Sequence, residues 1–238
     1  MLTRSERLKI AIKGYEFLSP VAIESLGLTV LGKKKFDPWL PEERRSGVIF
    51  SHVPKSAGTS IVKALFDSKS RHVPILRYAA YDKTLFENSF KFTVVRNPWA
   101  RIFSAYNYLY GVVGKGGKYP DWRWADYYLS GTPSFESFVL KLQDISYQKK
   151  VMKYIRFRSQ CDWISIPGRG LVMDYVGRFE RVDEDFEEAC HIGKITPHAL
   201  PHLRKGTGSE YRNAYSSKMA GVVAELYKKD IQTFDYHF

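Results

Sequence analysis

The feature that most constrains this chain is a pair of short apolar runs, each of which breaks into a turn and opens a helix. Residues 48–50, VIF, lead through SHVPKSAGTS into the helix-periodic IVKALF. Residues 90–95, FKFTVV, lead into RNPWARIFSAYNYL. Runs this short, rich in Val, Ile and Phe, read as strands buried in a sheet. The pattern predicts strands at VIFSH and at Phe90–Val95, and a helix over Thr59–Asp67. A second helix is predicted over Asn97–Tyr110, with Asn97 as N-cap and Pro98 at the first helical position. MDYVGRFE, residues 173–180, reads as a third strand. Strands alternating with helices imply a parallel sheet with helices on both faces, hence the α/β class.

Other segments are plainer. Ser134 starts an amphipathic helix, SFESFVLKLQDI. Asp183 is expected to cap a helix whose acidic first turn, DEDFEEA, suits the helix dipole. A last helix runs from about Ser216 into LYKKDIQTF. Residues 111–133 read as a long Gly-rich and aromatic loop, and residues 32–47, with two prolines, as a linker. The expected organisation is an N-terminal arm and linker at 1–47 and one domain at 48–238, a size at which single domains are common.

Lys and Arg outnumber Asp and Glu by 37 to 25, a formal net charge of +12. Such a surface draws anions: phosphorylated cofactors, acidic glycans, anionic lipid or nucleic acid. No block of five or more like charges occurs, so the basic tail that coats nucleic acid is missing and no nucleic-acid partner is expected. The two cysteines, Cys161 and Cys190, form no Cys-x-x-Cys pair, and Pro201 interrupts the spacing between His198 and His202, so no metal site is expected. The most apolar part of the N-terminus, Val21 to Leu31, carries Glu24 and falls short of the roughly 20 apolar residues that span a bilayer. The expected setting is therefore cytoplasmic. Peripheral membrane contact by the arm is left open, and a Golgi-luminal fragment ranks behind.

A strand–loop–helix turn presents backbone N–H groups and the positive end of a helix dipole to an anion. In SHVPKSAGTS, Gly58 permits close backbone approach, and Thr59 and Ser60 add hydroxyl donors. An ATP-binding loop runs G-x-x-x-x-G-K-[ST], its lysine reaching the β- and γ-phosphates directly after the last glycine. Here no glycine opens the loop, Thr59 follows Gly58, and the lysine is Lys55, near the loop's start. Such a loop suits a single 5′-phosphate, with Lys55 beside whatever is attached to it.

Pro54-Lys55-Ser56-Ala57-Gly58-Thr59-Ser60 resembles the 5′-phosphosulfate loop of sulfotransferases. Arg96, Asn97, Pro98, Arg101, Ser104 and Tyr106 resemble that family's 3′-phosphate motif, R-[ND]-P-x3-R-x2-S-x-Y. VGRFERVDEDFEEA, LPHLRKG and ELYKKDIQTFDYHF resemble later blocks of the sulfotransferase-2 group, and the likeness spans about residues 48–238. The resemblance implies a three-layer P-loop-like fold with a central parallel sheet. It implies 3′-phosphoadenosine 5′-phosphosulfate (PAPS) as donor, 3′,5′-ADP as product, and no required metal. By that resemblance Lys55, Ser56, Ala57, Gly58, Thr59 and Ser60 hold the 5′ end, Arg96 and Ser104 hold the 3′-phosphate, and Arg204, Lys205 and Gly206 touch the adenosine or its 3′-phosphate.

Sulfuryl transfer to a hydroxyl needs a general base. His72, between the two motifs, is the first candidate, and an ordinary surface histidine is the plainer alternative; Glu87 and His52 rank below it. The acceptor implied by resemblance is a carbohydrate or glycolipid hydroxyl. Trp122, Arg123, Trp124 and Tyr127, in the 111–133 loop, are candidates for holding it, against an aromatic lid that merely packs on the domain. Two other functions stay open: a nucleotide kinase with a degenerate loop, and a basic module that binds polyanions. The oligomeric state is not legible.

Overall fold

The run after Gly47 becomes a strand because both of its faces are covered. In the structure, a computed structural model, residues 37–117, 119–198 and 210–238 are described. In chain order the elements are α1 (Pro41–Ser46), β1 (Val48–Ser51), α2 (Gly58–Phe66), α3 (Ile75–Tyr81), α4 (Lys83–Asn88) and β2 (Phe90–Val95). Then come α5 (Pro98–Tyr110), α6 (Pro120–Leu129), α7 (Phe135–Lys141), α8 (Ile145–Val151), α9 (Cys161–Ile164), β3 (Ser165–Ile166), β4 (Gly170–Leu171) and β5 (Tyr175–Arg178). α10 (Val182–Ile192), α11 (Ser217–Leu226) and α12 (Lys228–Phe234), with short 3-10 helices at Phe179–Arg181 and Glu210–Ala214, complete the described elements. The described residues divide into two compact units, one within 37–95 and 153–198, the other within 96–152 and 210–238.

The first unit carries a three-stranded parallel sheet in the order β1-β2-β5, with Val48 opposite Phe90 and Phe92 opposite Tyr175. Successive side chains on a strand point to opposite faces. Val48, Phe50, Phe92 and Val94 pack against Ile61 and Val62 of α2 and Val182 and Phe186 of α10. Ile49 packs the other way, with Ile75 and Tyr78 of α3, Phe86 of α4 and Trp39. Each such side chain contributes about 1.5–3 kcal/mol on burial. The expected α/β class, with a parallel sheet between helices, is what the structure has.

Residues 41–46, read from sequence as linker, form α1. Pro41 sits at its start, and Glu43 turns back to accept the Leu40 N–H at 2.7 Å. Asp183 does not cap its helix. α10 begins one residue earlier, at Val182, with Asp183 in the first turn. Asp185 is the acid with the structural task, accepting from the Arg178 N–H at 2.5 Å and from Arg181 at 2.9 Å.

The second unit is helical. α5 buries Trp99, Ile102, Ala105, Tyr106 and Leu109. The Tyr106 ring meets Phe138 of α7 at 5.1 Å and Phe135 at 5.5 Å. Much of the chain's aromatic content is therefore core. The 111–133 segment is not loop throughout, because α6 starts at Pro120 and buries Ala125 and Leu129, four residues apart on one face. The helix begun at Ser134 ends at Lys141, and Asp144 caps a new one by accepting from the N–H groups of Ser146 and Tyr147. The last helix likewise breaks at Tyr227, into α11 and α12.

Candidate functional site

β1 ends at Ser51, and residues 52–57 turn the chain into α2. Lys55 and Ala57 hold positive φ, 71° and 63°. Left-handed backbone costs roughly 1–3 kcal/mol at a non-glycine residue, so its surroundings must hold it there. Such turns aim successive N–H groups into one concavity, the geometry of an anion nest. α2 starts at Ala57 without a side-chain cap. The Ser60 N–H bonds the Ala57 carbonyl at 3.0 Å, whereas the N–H groups of Gly58 and Thr59 meet no side-chain cap from Ala57. Ser56 is fully buried, and its Oγ has no hydrogen-bond partner among the described residues. A buried hydroxyl left unpaired costs about 1–3 kcal/mol, a cost that an oxygen-rich anion in the turn would remove. Lys55 and Ser60 are half-buried, and Thr59 is exposed.

A histidine ring lies against this turn. A Cβ on Gly58 would stand 1.8 Å from His52 Cδ2 and 2.3 Å from Nε2, so the imidazole fills space that only glycine leaves. Burial, followed by the neighbouring His72 and Arg156, holds His52 well below the ordinary imidazole range, so it is neutral at physiological pH. Its ring lies against His72, tilted at 45° with centroids 4.1 Å apart. Thr59 Oγ1 also lies 3.3 Å from Ser70 Oγ, tying the start of α2 to the segment that carries His72.

His72 Nδ1 lies 3.3 Å from the His52 carbonyl oxygen, and Nε2 lies 3.2 Å from Arg156 Nη1. A guanidinium only donates, so Nε2 accepts and Nδ1 carries the proton. The Trp163 ring stands edge-on to His72 at 6.1 Å. Gly58, His52, His72 and Arg156 thus form one continuous line of contacts inside the first unit. Glu87 lies apart on the end of α4, in a bidentate pair with Arg169 at 2.7 and 3.3 Å. That hydrogen-bonded pair holds its carboxyl below the usual carboxylate range.

The second motif opens the second unit. Arg96 is half-buried and directly follows β2 in the chain. Asn97 caps α5 as expected, accepting from the Trp99 N–H at 3.1 Å and the Ala100 N–H at 3.5 Å. Its amide also donates to the His237 carbonyl at 2.8 Å. Ser104 is half-buried two turns along α5. Arg101 is fully buried over the Tyr227 ring at 5.2 Å, so this motif arginine packs α5 on the start of α12.

On α6, Arg123 is exposed, Tyr127 is 76% exposed, and Trp122 and Trp124 are half-buried. Trp122 packs on Tyr119 at 5.0 Å and Trp124 on Tyr128 at 4.9 Å. Arg204, Lys205 and Gly206, together with His202, lie outside the described residues. Arg156 and Trp163 escaped the sequence reading. Arg156 contacts a residue 84 positions away, and nothing in YIRFRSQ signals that. Among the described residues no three His, Cys, Asp or Glu side chains gather to hold a metal, and no helix is long and apolar enough to cross a membrane.

A family model described as the Sulfotransferase family matches residues 42–237. No curated protein and no solved structure matches the chain. The family match runs from α1 to the last residues and takes in both the turn after β1 and the Arg96 motif, so the chain belongs to the sulfotransferase family, transferases that move a sulfuryl group to an acceptor.

Proposed function

We propose that the donor is PAPS and that the acceptor is a hydroxyl of a carbohydrate or glycolipid. The observation that carries this reading is the turn at 52–57: positive φ at Lys55 and Ala57, an uncapped helix start, and the buried, unpartnered Ser56 hydroxyl. That donor set fits one phosphate, and its lysine stands near the loop's start rather than directly after Gly58, where a triphosphate would need it. The hydroxyls of Ser56, Thr59 and Ser60 and the N–H groups of Ala57, Gly58 and Thr59 hold the 5′-phosphate. Lys55 neutralises the charge that grows on the oxygen linking sulfur to phosphorus. Arg96, a planar fork of donors, and Ser104 take the 3′-phosphate, a role carried by the motif. Arg204, Lys205 and Gly206 close over the nucleotide by the same resemblance.

His72 acts as general base through Nε2. It takes the proton of the acceptor hydroxyl as that oxygen bonds to sulfur. The bond from sulfur to the phosphate oxygen breaks, and its electron pair stays on the departing 3′,5′-ADP. Arg123 and Tyr127, exposed on α6 beside Trp122 and Trp124, suit an acceptor with flat sugar faces and an acidic group. Two buried free thiols, Cys161 and Cys190, fit a cytoplasmic setting.

The test is thermal unfolding with 3′,5′-ADP against magnesium-ATP. A ligand at 100 times its Kd stabilises by about 2.7 kcal/mol. For a chain of this size that raises Tm by roughly 5–10 °C. A shift with 3′,5′-ADP that disappears in Lys55→Ala supports the reading. A shift with magnesium-ATP alone would replace it with a kinase, and a shift with neither, alongside salt-sensitive binding of polyanions, would leave a binding module.

A further inference from the structure

We infer that Arg156 is the positioning residue of the transfer site, holding His72 as the tautomer whose Nε2 lone pair receives the acceptor's proton. The inference rests on the sulfotransferase reading with His72 as base, and adds a residue that neither motif contains.

Three contacts carry it. The His52 carbonyl lies 3.3 Å from His72 Nδ1, and Arg156 Nη1 lies 3.2 Å from Nε2. The two together allow one neutral tautomer, with the proton on Nδ1. The third contact places that imidazole. It lies tilted against His52 with ring centroids 4.1 Å apart, and the His52 ring in turn sits against Gly58, where the turn opens into α2. His72 is therefore one ring's thickness from the turn that would hold the donor's 5′ end.

Arg156 then has two effects on the base. While the site waits, its guanidinium occupies Nε2, so water does not. The cation beside the ring also opposes imidazolium formation, which keeps the base in its working form at lower pH. When the acceptor hydroxyl arrives, it displaces Arg156 from Nε2. The hydroxyl proton passes to Nε2, the acceptor oxygen bonds to sulfur, and the old sulfur–oxygen bond leaves its pair on the phosphate of 3′,5′-ADP. The titratable or charged groups that face His72 include the His52 imidazole from the turn after β1 and the Arg156 guanidinium from the segment before α9; Trp163 of α9 is uncharged.

The experiment compares the wild-type chain with Arg156→Ala, Arg156→Lys and His72→Ala. It measures Tm, the Kd for 3′,5′-ADP, and the pH profile of PAPS-dependent sulfation over a panel of simple sugars and glycosides. In Arg156→Ala, kcat should fall about 10- to 100-fold with the Kd for 3′,5′-ADP unchanged. The acid limb of kcat/KM should move up by about one to two pH units, because losing the cation makes imidazolium easier to form. Arg156→Lys should recover most of that limb. Wild-type kcat and an unmoved limb in Arg156→Ala, with His72→Ala inactive, would overturn the inference and spare the sulfotransferase reading. His72→Ala turning over like wild type would overturn the base assignment and this inference together. A wild-type chain that bound 3′,5′-ADP no better than ATP would sink the reading beneath both.

Discussion

Gly58→Ala separates the tertiary reasoning from the local kind. Gly58 is the first residue of α2, and its φ is not positive, so the backbone itself accepts alanine. Local propensity favours the change by up to about 1 kcal/mol. The surroundings forbid it. The added methyl would lie 1.8 Å from His52 Cδ2, whereas unstrained carbons sit about 3.5–4.0 Å apart, so the ring must retreat by about 2 Å. His52 is 4% exposed and has the His72 ring packed against it, so it has little room to retreat. Overpacking of this kind costs about 1–3 kcal/mol, and the enclosure argues for the upper part of that range. The expected net loss is about 2 kcal/mol, or roughly 4–8 °C in Tm. Calorimetric and urea unfolding of Gly58→Ala measure it directly. Gly221→Ala is the matched control: a methyl there meets nothing within 4 Å inside α11, so it should stabilise by about 0.5–1 kcal/mol. In a His52→Ala background the Gly58→Ala penalty should vanish. If Gly58→Ala is as stable as wild type, the account of the turn packed on His52 is wrong.

Two further outcomes follow from buried polar groups. Burial pushes the Glu43 carboxyl up to about 7, so the fold keeps a proton that the unfolded chain releases from about pH 4.5 upward. Its contribution should therefore fall as pH rises from 4.5 to 7, by up to about 3 kcal/mol, and Glu43→Gln should flatten that slope in urea titrations. A wild-type stability that rises across this window, with the same slope in Glu43→Gln, would contradict it. Asn97→Ala removes the α5 cap and the donor to the His237 carbonyl together, and should cost about 2 kcal/mol by urea unfolding. Asn97→Asp keeps the cap oxygen and should cost about half as much; equal losses would mean that the cap carries none of the effect.

Both strand-to-helix turns could be read in advance because their signals are local. VIF and FKFTVV are apolar runs, Asn97-Pro98 is a cap followed by a helix-ready proline, and Gly58-Thr59-Ser60 opens a helix. What misled the reading was also local. Glycines at 111, 114, 116 and 117 made 111–133 look like loop, although Pro120, Ala125 and Leu129 carry a helix start and one narrow apolar stripe. Asp144 looked like part of one helix and in fact caps the next. Leu40 is not a usual cap residue, so Glu43 folding back on its N–H gave no warning of α1.

The residue string determined the α/β class, the two turns and the hydroxyls and cations they carry, because strand period, capping and turn chemistry act over a few neighbours. Only the tertiary structure decided that His52 fills the space beneath Gly58, that Arg101 faces inward to Tyr227, and that Arg156 meets His72 from 84 residues away. Those contacts arise when a parallel sheet and its crossovers bring distant segments into one packed interior, and no local pattern encodes which side chains then touch.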